Sequence, residues 1–249
     1  MVPFNGGKMN HIFAPGKGVY EETFTCDAAR RCFQDTTGNA SLKVHGECCL
    51  LIKQEKSDNE FEWVFCTRYD SKGKPFPNEA IAVPAGVHPA KYDNHAYCFI
   101  PLDRNKVVGK GSKKTLVGPD TYSAIAAGVA SGELPDPNDL DCPNHITVEW
   151  VGRKHQGNVD GIDVDHALYV HGSVLVDVPV RTREAVEQMA QTLAIEGLVL
   201  YDHVAGEHFK LRFDMFPESA FAKNSKLPGT SHCTTIKPKV IAPEAANVP

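Results

Sequence analysis

Lys43 stands three residues before Gly46, at the beginning of an apolar run over residues 48–52. A lysine can attack phosphorus only as the free amine, and an ordinary lysine pKa of about 10.4 keeps the side chain protonated at neutral pH. Nearby cations and a bound metal ion would lower that pKa and release the amine. Lys-x-x-Gly tetrapeptides are common, and the same residues also describe a solvated lysine at a strand end. The acids and cations elsewhere in the chain decide between these two interpretations.

Charged residues that could supply these acids and cations follow downstream. Arg68 lies at the end of a strand-like run, Glu149 sits between apolar neighbours, Glu196 precedes Gly-Leu-Val, and Lys210 is followed two positions later by Arg212. The separations are 25 residues from the lysine to Arg68, 47 between the two glutamates and 14 from the second glutamate to Lys210. Each residue alone has a simpler explanation, because alternation along an exposed strand puts residues two apart on one face. Order and spacing together favour the nucleophile.

These motifs resemble those of the covalent nucleotidyltransferases, the superfamily of ATP-dependent polynucleotide ligases and messenger-RNA capping enzymes. The resemblance covers residues 40–215 and is strongest to the compact single-domain 5′-to-3′ RNA ligases, because all the motifs occur within 249 residues. It implies an α+β fold, a nucleotidyltransferase (adenylation) domain of two antiparallel sheets that enclose an ATP pocket, flanked by a few helices. We expect this domain over residues 1–224 and a loosely ordered C-terminal tail over residues 225–249.

The resemblance also implies roles. Lys43 would take AMP from ATP as a phosphoramide, pass it to the 5′-phosphate of RNA, and a 3′-hydroxyl would then displace it to seal the strand. Glu196 corresponds to a metal-binding acid, and hard oxygen ligands suit Mg²⁺ or Mn²⁺. Cations would neutralise the triphosphate and the charge of the transition state. The implied nucleotide-binding residues are Leu42, His45, Gly46, Arg68, Glu149, Glu196, Lys210 and Arg212.

Two positions depart from the usual pattern of this superfamily. His45 stands where an aspartate is usual, and it brings a group that titrates near pH 6.5 in place of a negative charge beside Lys43. Arg212 stands where a second lysine is usual, and it contacts phosphate as a planar fork rather than as a point charge. Neither change removes a group that the mechanism requires, so both concern substrate detail.

Two further basic segments have open interpretations. Arg153 or Lys154, in the glycine-rich stretch after Glu149, would contact the phosphate of a nucleotide or nucleic acid, or the stretch merely reverses the chain. A second segment carries five cations with two glycines among them, and it is either a solvated loop or a phosphate contact. Its cations are Arg104, Lys106, Lys110, Lys113 and Lys114.

The predicted elements are mostly strands with three helices, which indicates an α+β fold with antiparallel sheets. A hairpin of strands 42–53 and 61–69 would bring Arg68 back toward Lys43. Residues 1–40 are expected to be irregular apart from one helix. Further strands are predicted over 95–102, 145–151, 167–170 paired with 173–178, 195–201 and 208–213, and helices over 26–34, 120–133 and 182–193.

Composition bounds the class of protein. With 42% hydrophobic and 23% charged residues the chain is typical of soluble globular proteins, and the net charge of −5 opposes a global positive field for coating nucleic acid. Eight scattered cysteines favour buried reduced thiols. Zinc would have to be assembled from Cys26 with Cys32, or from Cys142 with His145 and His155. Without a membrane-helix or signal-peptide pattern, we expect a cytoplasmic monomer that binds RNA and no membrane.

Other functions share these motifs. A DNA ligase or a capping-type guanylyltransferase would use the same nucleophile, although both normally carry an added domain. A non-catalytic RNA- or nucleotide-binding module would keep the fold without the chemistry. Such a module has no need of a nucleophile, so the joint presence of Lys43, Glu196 and Lys210 favours the RNA ligase.

Overall fold

The computed structural model describes residues 9–35, 40–71, 74–81, 97–108, 117–224, 236 and 238–243. The chain divides into two compact units. Unit 1 takes in Met1–His45, Val159–Gly161 and His171–Lys239, and unit 2 takes in Gly46–Asn158, Ile162–Val170 and Val240–Pro249. Of the predicted basic loop, Lys110, Lys113 and Lys114 lie outside the described residues.

Unit 1 is built on a five-stranded sheet in the order β1-β12-β11-β4-β10. Its strands are β1 (Asn10–His11), β4 (Ala40–Lys43), β10 (Leu175–Val176), β11 (Gly197–Asp202) and β12 (Glu207–Arg212). Period-two alternation makes one face apolar, and its side chains are almost completely buried. The central row of that face is Leu42, Leu198 and Leu211, with Ala40, Leu200 and Phe209 beside it. The other face is therefore left for polar side chains.

Three helices and a small sheet complete unit 1. They are α1 (Asp27–Gln34), α3 (Arg183–Thr192), α4 (Ala220–Asn224) and the pair of β2 (Phe13–Pro15) with β3 (Tyr20–Phe24). The sulfur of Cys26 accepts from the Ala29 N–H at the start of α1, and the Thr182 hydroxyl accepts from the Ala185 N–H at the start of α3. Both predicted helices are confirmed, with ends within one residue of the prediction.

Unit 2 is built on a second five-stranded sheet, in the order β7-β6-β5-β8-β9. Its strands are β5 (Glu47–Ser57), β6 (Glu60–Asp70), β7 (Tyr97–Pro101), β8 (His145–Val151) and β9 (Ala167–Val170), all antiparallel to their neighbours. Helix α2 (Val117–Ser131) packs on one face through Ala124 and Ile125. Of the predicted hairpin of strands 42–53 and 61–69, the pairing of residues 48–53 with 61–69 is confirmed, and β8 has its predicted ends.

The prediction of one continuous strand over residues 42–53 is wrong. The chain leaves the first sheet after Lys43 and enters the second at Glu47, so two strands of different units replace one. Gly46 allows this, because a Cβ there would lie 2.5–2.7 Å from Trp150 O and from side-chain atoms of Glu149 and Val151. Lys43 is thus not on the hairpin that carries Arg68, and the inference that the hairpin brings them together loses its premise.

Other topological predictions also need correction. Residues 167–170 and 173–178 do not pair: β9 pairs with β8, whereas β10 pairs with β4 in the other unit. The described residues form three sheets rather than two, and β1 runs parallel to β12. They also contain four α-helices rather than three, and residues 1–40 hold β1, β2 and β3.

The predicted tail is described only in part. Ile241 is buried and exchanges backbone hydrogen bonds with Leu168 of β9. Most of residues 225–249 lies outside the described residues, and the boundary at residue 224 stays a prediction.

Candidate functional site

The polar face of the unit 1 sheet carries three of the predicted cations in two neighbouring rows. In the first row Lys43 of β4 and Arg212 of β12 each lie opposite Gly197 of β11. Residues opposite each other in adjacent strands share a face, and strands are about 4.8 Å apart, so the two cations flank the glycine at about 10 Å. Because Gly197 has no side chain, the space between them stays open on this face.

Gly197 also has a backbone that requires glycine. Its φ is 154°, and a Cβ there would lie against the Leu211 carbonyl oxygen, closer than real atoms approach. The residue before it, Glu196, is fixed by a hydrogen bond from the Phe213 N–H to its carbonyl, at 2.8 Å. The Glu-Gly pair of the predicted motif thus combines a glutamate whose backbone is fixed with a strand position that has no side chain.

Lys43 and Glu196 form an ion pair in which Nζ lies 2.6 Å from Oε2. The exposed fractions of the side chains are 17% and 6%, so the pair is largely shielded from water. Oε2 is buried and has no directional hydrogen-bond partner among the described residues, so the contact is a charge pair rather than an aligned hydrogen bond. A charge pair in a shielded place is stronger than one on the surface.

Lys210 lies in the second row, opposite Val199, and Ser41 lies opposite Val199 on its other side. Arg212 is held by Asp214, with Nε 3.0 Å from Oδ1 and Nη2 2.5 Å from Oδ2. This bidentate bond fixes the plane of the guanidinium. The polar face therefore presents Lys43, Lys210 and Arg212 together.

His11, which the sequence analysis does not select, also lies on this face, opposite Lys210. Its Nδ1 is 2.7 Å from the hydroxyl oxygen of Tyr20. That oxygen accepts a hydrogen bond from the backbone N–H of Arg212 at 2.9 Å. Burial, and then the positive charges of Lys210 and Arg212, lower the pKa of His11 to about 4. Burial also raises the pKa of the Tyr20 hydroxyl. Both groups are neutral at pH 7.

The other residues of the Lys43 motif have structural partners. Leu42 lies on the apolar face, 4% exposed, so it supports the strand rather than facing the cations. The His45 N–H donates to Asp160 Oδ2 at 3.0 Å, and the His45 ring lies 6.3 Å from that of Phe221. Asp160 thus holds the backbone just after Lys43, and sequence analysis gave no signal for it.

In unit 2, Arg68 and Glu149 lie at the same end of the sheet and on the same face. Glu149 lies opposite Cys48 of β5, and the β5–β6 register places Arg68 on that face as well. Arg68 Nε is 3.3 Å from Asp70 Oδ1, and the guanidinium lies 5.9 Å from the ring centre of Tyr97. Glu149 is 8% exposed. The prediction that these two act together is compatible with this shared face.

Arg153 and Lys154 differ in their surroundings. Arg153 Nε lies 2.8 Å from Asp165 Oδ1, and its backbone N–H donates to the Val164 carbonyl. Both contacts join the two ends of the segment that reverses the chain. Gly152 has a φ of 130° and a neighbouring backbone too close for a Cβ, as a tight reversal requires. This favours the chain-reversal interpretation for Arg153, whereas the side chain of Lys154 is exposed.

Among the described residues no group of three His, Cys, Asp or Glu side chains is arranged to hold a metal ion. Glu196 Oε2, buried and without a directional hydrogen bond, fits one hard-oxygen ligand to Mg²⁺ or Mn²⁺. Such an ion would take its remaining ligands from phosphate oxygens and water.

The structure thus brings Lys43, Glu196, Lys210 and Arg212 together in unit 1, and Arg68 and Glu149 together in unit 2. It adds His11, Tyr20, Asp160 and Asp214 to the first group. The Asp214 contact could have been suspected from its spacing of two residues from Arg212. The contacts of His11 and Tyr20 depend on short strands at the start of the chain, which no sequence period marks.

Comparison with known proteins gives no family. No family model matches the sequence, and no curated protein matches it. Among solved structures, an apo mutant of an RNA ligase from Naegleria gruberi aligns at 10% identity and a TM-score of 0.31, over 84% of this chain and 59% of that one. Mutants of the Naegleria gruberi RNA ligase with ATP and Mn and with AMP and Mn align at 9% and 0.30, over 83% and 84% of this chain.

The chain spans 59–60% of the length of these solved structures. A likeness at this TM-score and identity does not establish a family or an activity. The described residues contain no helix long and apolar enough to cross a membrane. The function proposed for this chain therefore rests on the arrangement of its own residues.

Proposed function

We propose that this chain is an ATP-dependent RNA ligase, a covalent nucleotidyltransferase in which Lys43 carries AMP. The observation that supports this best is the ion pair of Lys43 with Glu196, with Nζ 2.6 Å from Oε2, on a sheet face shared with Lys210 and Arg212. An ordinary surface lysine has no buried carboxylate and no row of cations beside it. A lysine that attacks a polyphosphate needs both, one to manage its proton and the others to neutralise the phosphates.

The proposed reaction has three steps. The Lys43 amine attacks the α-phosphorus of ATP, the bond to the β-phosphate oxygen breaks, and pyrophosphate leaves. The proton from Nζ passes to the Glu196 carboxylate, whose Oε2 lies 2.6 Å from Nζ in the ion pair. A 5′-phosphate oxygen of RNA then attacks the phosphorus of the adenylate and releases Lys43. Finally a 3′-hydroxyl attacks the activated 5′-phosphate, forms the phosphodiester and releases AMP.

The remaining residues take the following roles in this proposal. Lys210 and Arg212 neutralise the phosphate tail, and Asp214 keeps the Arg212 fork in one orientation. Mg²⁺ or Mn²⁺, held by Glu196 and the phosphates, would add positive charge where the transition state gains negative charge. For Arg68 and Glu149, which share one face of the unit 2 sheet, contacts to the ribose and phosphates are what the sequence resemblance implies.

Labelling with nucleotide tests the proposal directly. The protein is incubated with α-labelled ATP or GTP and Mg²⁺, and covalent label is followed by denaturing gel and intact mass. We expect label from ATP in the wild type and none in Lys43→Arg, which keeps the charge opposite Glu196 but offers no nucleophile. Lys56→Ala, on the exposed end of β5, is the matched control and keeps full labelling.

Other outcomes separate the alternatives. Label from GTP rather than ATP would indicate capping chemistry, and no label from either nucleotide in the folded wild type would indicate a binding module. For a protein that labels with ATP, nicked duplexes of RNA, DNA and hybrids then identify the strand. Sealing of DNA but not RNA would replace the RNA ligase by a DNA ligase.

A further inference from the structure

Tyr20 fixes the position of the protons on His11. The Tyr20 oxygen already accepts a hydrogen bond from the backbone N–H of Arg212 at 2.9 Å. The buried hydroxyl therefore needs an acceptor for its own proton. Among the described residues, the acceptor within reach is His11 Nδ1 at 2.7 Å. Neutral imidazole carries one ring proton. Because Nδ1 accepts from Tyr20, that proton is on Nε2. The chain of hydrogen bonds runs from Arg212 N–H through Tyr20 to His11 and leaves His11 Nε2–H as a donor.

The surroundings of this donor are cationic. His11 lies beside Lys210 in the sheet, and the next row of the same face holds Lys43 and Arg212. The described residues provide no hydrogen-bond partner for Nε2. Burial and the same cations hold the pKa of His11 at about 4, so the ring adds no fourth charge at neutral pH. Lys43 pairs with Glu196 and Arg212 with Asp214, so two of these cations already face a carboxylate. Lys210 lies directly opposite His11, and a neutral donor beside this lysine matches an anionic acceptor with several oxygens.

We propose that His11 is a phosphate-binding residue whose Nε2–H donates to a phosphate oxygen of the bound nucleotide next to Lys210, with Tyr20 as the positioning residue that holds the imidazole in the donating tautomer. The identity of the nucleotide rests on the function proposed above. The phosphate contact itself rests on the hydrogen-bond chain and on the cation-lined face. A hydrogen bond to a charged phosphate is directional, so it would orient the polyphosphate as well as hold it.

Binding of three probes tests the phosphate contact. ATP, tripolyphosphate and adenosine are titrated calorimetrically into the wild type, His11→Ala and His11→Gln. We expect His11→Ala to weaken ATP and tripolyphosphate by about 10-fold, as for a lost hydrogen bond to a charged group, and to leave adenosine unchanged. His11→Gln, whose amide is a neutral donor, should restore most of the affinity. His203→Ala, an exposed histidine of the same unit, is the matched control.

The results separate the two proposals. Weaker tripolyphosphate binding in His11→Ala, in a protein that forms no adenylate, would support the phosphate contact and contradict the ligase. Adenylation of the wild type with unchanged phosphate affinities in His11→Ala would contradict the contact and support the ligase. Equal weakening of adenosine and tripolyphosphate, or no recovery in His11→Gln, would also overturn the phosphate contact.

Tyr20→Phe tests the positioning role separately. In the wild type, ¹⁵N chemical shifts of the His11 ring should report a protonated Nε2 and an unprotonated Nδ1. Removal of the hydroxyl should produce a mixture of the two tautomers and weaken tripolyphosphate binding by a few-fold, with a wild-type circular dichroism spectrum. A wild-type ring that carries its proton on Nδ1, or a Tyr20→Phe ring identical to wild type, would contradict this role.

Discussion

The two five-stranded sheets differ in what their faces carry. In unit 1 one face is apolar and the other carries Lys43, Lys210 and Arg212. In unit 2 both faces hold buried apolar clusters, one around Leu51 and Phe65 and the other around Leu50 and Phe99. Arg68 and Glu149, the candidate site residues of that sheet, lie together at one end of its strands. Unit 2 is thus stabilised by packing on both faces of its sheet, whereas one face of the unit 1 sheet carries a group of cations.

This difference shows where substitutions should act on stability and where on chemistry. Replacing a cation on a half-buried face by alanine removes little packing energy. It does remove a positive charge that would neutralise a bound polyphosphate. A side chain buried on both sides gives up its transfer energy and leaves a cavity. Both tryptophans, Trp63 and Trp150, lie in unit 2, so tryptophan fluorescence reports the unfolding of that unit.

The largest effect is expected from a pair of substitutions, one on each sheet. Phe65 is completely buried and packs edge-to-face on Trp150 at 5.1 Å, so Phe65→Ala should lower the free energy of unfolding by about 3–5 kcal/mol. Lys210→Ala should change it by less than about 1 kcal/mol and slow adenylation by about 100-fold. Urea unfolding followed by tryptophan fluorescence measures the stability of Phe65→Ala in unit 2, and urea unfolding followed by far-UV circular dichroism measures that of Lys210→Ala in unit 1. Labelling rates measure adenylation. Equal loss of stability in the two variants would refute the contrast.

A second test concerns the open position between the two cations of the first row. Gly197→Ala forces a Cβ against the Leu211 carbonyl and should destabilise unit 1 by about 3 kcal/mol, because either the backbone or the β11–β12 pairing must shift. Gly206→Ala is the matched control, since its Cβ would find only the Tyr201 hydroxyl at 3.9 Å and its φ of 66° costs about 1 kcal/mol. Far-UV circular dichroism during urea unfolding compares them. A similar loss in both would mean that Gly197 serves conformation alone.

The pH dependence of stability compares one histidine of lowered pKa in each unit, the half-buried His11 and the buried His166. Burial, then the charge of His155, lowers the pKa of His166 to about 4, as burial and cations do for His11. In the unfolded chain each histidine has its ordinary pKa of 6.5. Between pH 6.5 and 4 the unfolded chain therefore binds more protons than the folded protein, and the free energy of unfolding falls as the pH drops through that window. Each histidine contributes a slope of at most about 1.4 kcal/mol per pH unit.

Replacement of each histidine isolates its part of this slope. His11→Gln and His166→Asn should each flatten the fall of the unfolding free energy between pH 6.5 and 4, whatever they do to stability at pH 7. His203→Gln, which replaces an exposed ring, should leave the slope unchanged. Urea titrations at half-unit pH steps measure it. A slope that survives both substitutions would show that carboxylates such as Glu47 dominate acid unfolding.

The smallest effect is expected at Arg153 and Lys154. Arg153 is 60% exposed in its pair with Asp165, so Arg153→Ala should cost less than about 1 kcal/mol and leave both adenylation and sealing unchanged. Lys154→Ala should slow sealing, and not adenylation, if this lysine contacts the RNA phosphate. The two steps are measured separately, with pre-adenylylated RNA for the second. Unchanged rates in both variants would leave the glycine-rich stretch as a chain reversal only.

Sequence patterns predicted most of the elements because each pattern is local. Alternation marked β6, β8 and β12, and capping residues marked the starts of α1 and α3. The patterns failed where the partner of a strand decides its state. The run over residues 42–53 is apolar only over 48–52, and no period in the residues before it shows that the chain changes sheets at Gly46. The two-residue β1 is likewise too short to have a period.

Residue types and spacing by themselves selected Lys43, Glu196, Lys210 and Arg212, because a nucleophilic lysine needs an acid and cations that only a few residue types supply. Tertiary structure alone decided that Lys43 pairs with Glu196 across 153 positions of chain, that Gly197 keeps the space between Lys43 and Arg212 open, and that His11 joins them. The physical reason is sheet pairing: register sets which side chains share a face, and register is fixed by strands far apart in sequence.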